Sequence, residues 1–166
     1  MKRSERQQRI DAVQRHADQH GAKNHSAVFD AFLTQYLSTA ASEDLTELDA
    51  ATLYGAAFAH WQLGHQRAPG AVALAIDNPA PPQHDWASPH TVVQIVSDDK
   101  PFLVDSVSMA INELGLIIHR INHPVLTVER DDRSEIDSLR PGEQDESTPA
   151  EAWIHIEVDR QASPEQ

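Results

Sequence analysis

Apolar positions in this chain recur first at helical spacing and later at alternate residues, so helices are expected before strands. Met1 to about His20 is highly charged, with only Ile10, Val13 and a few alanines to bury, as in a solvated helix or a frayed leader. In "HSAVFDAFLTQYLSTA", Val28, Phe29, Phe32, Leu33, Tyr36 and Leu37 form one helical stripe, and Ser26 fits its N-cap. A further helix follows Asp49, with Leu53, Tyr54, Ala57, Phe58 and Trp61 on its apolar side. Gly55 weakens that helix unless something packs closely there. Pro69-Gly70 ends it.

Beyond this point the period changes to two. Val72, Leu74 and Ile76 in "AVALAID" predict a short strand, and "NPAPPQHDWASPH" reads as a proline-rich connector. "TVVQIVSDD" is the second strand. Pro101 suits a first helical turn, and Leu103, Val107, Ala110, Ile111 and Leu114 form an amphipathic helix stopped by Gly115. From Ile117 to about Glu129 a strand is expected with a break at Pro124, where the apolar side passes from Ile117 and Ile121 to Leu126 and Val128. "AWIHIEVD", with Ile154, Ile156 and Val158, is the last strand. The fold class is therefore α+β: amino-terminal helices followed by a βαββ unit with an antiparallel sheet. The divisions are a helical segment over 1–80 with a strand at 71–77, a connector over 81–90 holding a domain boundary, and a βαββ domain over 91–160. A mobile acidic insertion is expected at 131–150.

Composition narrows the function. The formal net charge of -13, from 13 basic and 26 acidic residues, repels phosphate backbones, so nucleic acid is a poor partner. The absence of cysteine removes disulfides, thiolate metal sites and a Cys nucleophile. The basic start "MKRSERQQR" leads into a polar pattern instead of an apolar signal region, and no apolar run approaches the roughly 18 residues of a membrane span. A cytoplasmic protein with no membrane partner is expected.

Candidate chemistry is sparse. Asp98-Asp99 could be an acid–base pair, but acidic residues also complement a helix N-terminus, an effect worth roughly 0.3–1 kcal/mol each. The second reading is preferred because no histidine or nucleophile stands at a spacing that completes a catalytic set. His119 and His123 share a strand face, but their Cα atoms would lie ~13 Å apart, too far to hold one ion. His60 and His65 point to different helix faces, and His155 is isolated. No metal site is expected. The six glycines form neither a dinucleotide-binding nor a phosphate-binding loop. No catalytic or cofactor-binding residue is therefore expected in this chain.

The β-α-β-β order with its acidic, proline-containing first turn resembles the first two-thirds of an ACT domain, a ferredoxin-like regulatory fold. Asp99-Lys100-Pro101-Phe102-Leu103 matches the D-x-P-G-L turn of such domains, except that Phe102 stands where glycine is usual. "ASEDLTELDAATLYGAAFAHWQLGHQRAPG", "SPHTVVQIVSDDKPFLVDSVSMAINELGLIIHRINHPVLTVERD" and "AWIHIEVDR" resemble the amino-terminal region of the large NAD-specific glutamate dehydrogenases of bacteria. That resemblance implies a non-catalytic regulatory and assembly segment of an enzyme of amino-acid catabolism. It further implies an NAD cofactor held elsewhere in the parent, and as partners the rest of that polypeptide and its subunits in a homo-oligomer. The candidate effector site it implies is the turn of Asp98, Asp99, Lys100, Pro101 and Phe102 together with Asp105. The alternative is a free-standing ACT-type amino-acid sensor. A ferredoxin-like sheet has the order 4-1-3-2, and this chain supplies no fourth strand. Strand one is thus expected either to pair with another chain or to be covered by 71–77.

Overall fold

Ser26 and Asp49 start the two best-capped helices. The Ser26 hydroxyl accepts from the Phe29 N–H at 3.2 Å, and the Asp49 carboxylate accepts from the Thr52 N–H at 2.7 Å. The computed structural model describes residues 2–21, 26–141 and 149–163. Its helices are α1 (Arg3–His20), α2 (Ala27–Ser38), α3 (Ser42–Glu47), α4 (Ala50–Gly64) and α5 (Leu103–Glu113). Its strands are β1 (Ala73–Asp77), β2 (Thr91–Asp98), β3 (Ile118–Asn122), β4 (Val125–Arg130), β5 (Ile136–Arg140) and β6 (Ala150–Val158).

The charged amino terminus is a docked helix. Ile10, Val13 and Ala17 of α1 enter the main core, while Arg6 donates to the Ala40 carbonyl at 2.8 Å and Arg9 to the Leu45 and Leu48 carbonyls at 2.6 Å each. The basic start therefore satisfies carbonyls left free where α2 and α3 end.

All strand pairs are antiparallel, in the order β1-β2-β6-β4-β5, with β3 also beside β6. β3 and β4 are two halves of one strand bent at Pro124, whose carbonyl accepts from the Trp153 N–H at 2.9 Å. The break expected there is present. β2, β6 and the bent β3/β4 reproduce the 1-3-2 portion of a ferredoxin-like sheet, and β1 lies antiparallel to β2 where strand four would lie.

Three expectations need correction. The 131–150 stretch was expected to be a mobile insertion, yet it holds β5. The Asp131 carboxylate accepts from the N–H groups of Arg133 (2.8 Å) and Glu135 (3.0 Å), closing a tight turn, and Ile136 is buried in the core. An Asx-type turn had the composition of disorder; residues 142–148 lie outside the described residues. The connector at 81–90 was expected to separate a helical domain from a sheet domain, yet β1 pairs β2 across it and one apolar cluster joins α1, α2 and α4 to Val96, Leu126 and Trp153. Within α5, Leu103, Val104, Val107 and Ile111 pack on the sheet, whereas Ala110 is exposed and Leu114, the residue just after the helix, is 75% exposed. The short α3 shows no apolar period in the sequence because Leu45 is its one buried residue.

The result is three layers. Ala152, Ile154, Ile156 and Val158 of β6 face α5, and Trp153 on the opposite face packs against Phe32 and His60 of the helical layer. Two glycines let α4 approach closely. A Cβ at Gly55 would lie 2.4 Å from the Trp86 Cβ, and one at Gly64 would lie 2.3 Å from the Trp153 ring. Helix propensity alone would favour alanine by about 1 kcal/mol at either position. Overpacking costs typically ~1–3 kcal/mol and should win. Gly55→Ala and Gly64→Ala should therefore each lower the urea midpoint at unchanged slope; a rise would show that α4 can move away from the tryptophans.

Candidate functional site

β2 runs into α5 through the turn Asp98, Asp99, Lys100, Pro101 and Phe102, and Asp105 lies in the first turn of α5. The Asp98 carboxylate does not cap the helix. It accepts from Arg67 at 2.8 Å, and the same guanidinium nitrogen donates to Glu151 at 2.9 Å. Arg130 holds Glu151 from the other side, Nε to Oε1 at 2.7 Å and a second nitrogen to Oε2 at 2.9 Å. Arg130 also donates to the carbonyls of Gly64 and Ser134 at 2.8 Å. Burial pulls the Arg67 guanidinium down, but hydrogen bonds to Asp98 and Glu151 outweigh it and raise its pKa.

The rest of the turn is open. The Asp99 N–H donates to the Ala150 carbonyl at 2.9 Å. Phe102 is the N-cap residue of α5, at φ 60 and ψ 15, with no side-chain cap hydrogen bond and 76% of its surface exposed. It thus retains the left-handed backbone suited to glycine while carrying a ring, at a cost of roughly 1–2 kcal/mol. The expectation that Asp98-Asp99 satisfies the helix N-terminus fails for Asp98, whose carboxylate is taken by Arg67. Arg67, Arg130 and Glu151 were missed as a group because they lie far apart in sequence. Their one signal was the presence of charge at an alternating strand position and at a helix end.

A second polar group lies where the helical layer meets β6. Glu157 accepts from the Ser88 hydroxyl at 2.9 Å and His90 Nδ1 at 2.8 Å, with His155 Nε2 at 3.4 Å and Arg120 at 3.6 Å. Arg120 reaches on to Asp44 (2.8 Å) and Glu47 (3.1 Å), fastening α3 to β3. Gln94 donates to His155 Nδ1 at 3.1 Å, which leaves Nε2 to carry the proton toward Glu157. His60 is fully buried. Its Nε2 donates to the Ile95 carbonyl at 3.1 Å, so Nδ1 accepts from the Tyr36 hydroxyl at 2.9 Å. Burial, with the His155 ring close by, holds His60 down at about 3, so it stays neutral.

These groups are held by one another. The hollow beside them is lined by the apolar Leu37, Leu48 and Leu53 as well as by Tyr36, Arg120 and Glu157, and it measures about 40 Å³, room for little more than water. His119 binds Asp159 at 2.7 Å and stacks on His90 at 4.2 Å. Among the described residues no three His, Asp or Glu side chains converge as a metal site, and no helix is long and apolar enough to cross a membrane. The arrangement clamps helices to a sheet.

Residues 32–166 match the family described as glutamate dehydrogenase, ACT1 domain. The chain is 36% identical over 143 residues to an NAD-specific glutamate dehydrogenase of Halomonas elongata, covering 86% of this chain and 9% of that protein. It is 33% identical over 130 residues to one of Pseudomonas aeruginosa, covering 78% and 8%. A third, from Mycobacterium tuberculosis, is 30% identical over 99 residues, covering 59% and 6%. The chain thus spans less than a tenth of the length of these relatives. No solved structure matches it.

Acid should loosen the second group. Burial alone would raise Glu157, but hydrogen bonds from His155, His90 and Ser88 outweigh it and hold the carboxyl at about 2, below its ordinary 4.5. A lowered folded value means that this stabilisation is complete above about pH 4.5 and is lost as pH falls toward 2. It amounts to at most on the order of 3 kcal/mol. Glu157→Gln should therefore be less stable at neutral pH and show a flatter decline between those limits in pH-dependent urea unfolding. An unchanged decline would remove Glu157 from the account.

Proposed function

The chain belongs to the glutamate dehydrogenase ACT1 domain family, and on that premise we propose that it is a non-catalytic, amino-terminal regulatory and assembly segment of a large, cytoplasmic, NAD-dependent enzyme. The parent would convert L-glutamate, NAD and water to 2-oxoglutarate, ammonium and NADH. One observation carries this reading. The Halomonas elongata and Pseudomonas aeruginosa proteins named NAD-specific glutamate dehydrogenase align with most of this chain, while it covers only 8–9% of them. Two features agree with it. The sequence holds no dinucleotide fingerprint, and the buried acids and bases of the two clusters are engaged with each other instead of facing an open site. The parent's partners are its own remaining domains and subunits.

A free amino-acid sensor is the weaker reading, because Phe102 fills the place of a glycine that would let a ligand reach the backbone. Effector binding at Asp98, Asp99, Lys100, Pro101, Phe102 and Asp105 is accordingly expected to be negligible.

Two measurements test the proposal. The purified 166-residue chain should produce no NADH from glutamate and NAD; turnover in a preparation free of host dehydrogenase would overturn its non-catalytic role. Calorimetric titration with the common amino acids should give no saturable heat. Micromolar binding abolished by Asp99→Ala would establish the sensor instead.

A further inference from the structure

Helix α1 places His16 and His20 four residues apart, so both imidazoles lie on one face of its last turns. Their rings stack with centroids 4.2 Å apart and planes 20° from parallel. Both line a hollow of about 740 Å³ between α1, α4 and the loop after β1, with Tyr54, Phe58, Asp85 and Trp86 among its other walls. The His16 carbonyl lies 3.0 Å from His20 Nδ1. A carbonyl only accepts, so Nδ1 carries the proton and Nε2 keeps its lone pair. A ring N–H donated to a backbone carbonyl is also what fixes the orientation of metal-binding histidines.

From this pair we infer a site for one divalent transition-metal ion of the zinc, nickel or copper type, chelated by His16 and His20 at the end of α1. Two imidazoles one helical turn apart form the chelate that helices use for such ions. Two metal–nitrogen bonds of ~2.0–2.1 Å at a tetrahedral angle span ~3.4 Å between the nitrogens. A small turn of the exposed His20 ring therefore closes the stacked pair on an ion. Among the described residues no third His, Asp or Glu joins them, so water from the hollow completes the coordination. The surroundings favour a cation. No Lys or Arg is among the described residues lining the hollow, and Asp85 is on its wall. The pair stands at the negative end of the helix dipole, in a chain that carries -13 overall. Magnesium and calcium require oxygen ligands and are refused.

Calorimetric titration of the chain with zinc chloride should show one saturable site in the micromolar range, and magnesium chloride should show none. Zinc should also slow hydrogen exchange of the Gly21 N–H, which donates to the Ala17 carbonyl at 2.7 Å, at least about ten-fold, because the ion pins the last turn. His16→Ala and His20→Ala should each weaken zinc binding at least about ten-fold, with the circular dichroism spectrum of the zinc-free chain unchanged. His123→Ala, at an exposed histidine elsewhere, should leave zinc binding as it is. His16→Ala with Arg15→His keeps the number of imidazoles but turns one of them about 100° around the helix, and it should not restore binding. Absence of saturable heat would overturn the proposal. So would zinc binding that survives both single substitutions or returns in the double variant, either of which would mark an adventitious ion only.

Discussion

Strand β6 is buried on both faces, and the rest of the structure depends on that condition. Its row Ala152, Ile154, Ile156 and Val158 is apolar and needs only α5 to cover it. Its other row, Glu151, Trp153, His155 and Glu157, is buried just as deeply while holding two carboxylates and an imidazole. An ionised carboxylate out of water is tolerable only with hydrogen-bonding, oppositely charged partners; stripping one partner from such a pair costs on the order of 3–5 kcal/mol. Each neighbour of β6 is accordingly located by a reach toward it: Arg67 from the loop after α4, Arg130 from β4, Arg120 from β3 and His90 from just before β2.

The same condition joins the helical layer to the sheet. Without α2 and α4, Trp153 would lose Phe32 and His60, and the polar row would face water. Without the sheet, His60 would lose the Ile95 carbonyl that fixes its tautomer. The two glycines of α4 belong to this fit, since each marks a place where a tryptophan lies against helix backbone. Helices and sheet therefore form one packed unit.

This rigidity bears on the β2–α5 turn. Asp98, at its start, is tied through Arg67 to Glu151 in the centre of the sheet. Phe102, at its end, combines a left-handed backbone with an exposed ring.

Much of the fold was legible in the sequence because it rests on local rules. Ser26 and Asp49 cap helices through their own side chains, Gly115 ends α5 at φ +76, and Pro124 bends a strand because it lacks an N–H. The pairing of 71–77 with strand one was among the expected outcomes, since an apolar strand one connector away from an open edge has few other places to go. The candidate site was legible only as a turn. That Arg67, Arg130 and Glu151 meet, that Glu157 gathers Ser88, His90, His155 and Arg120, and that Asp131 closes a hairpin within an acidic stretch all depend on which chain segments adjoin in space. The sequence by itself determined which residues begin, end and interrupt the elements, because caps, glycines and prolines act within a few residues. Only the tertiary structure decided that β6 is buried on both sides and which charges neutralise one another there, because burial and ion pairing are set by neighbours that lie dozens of residues apart along the chain.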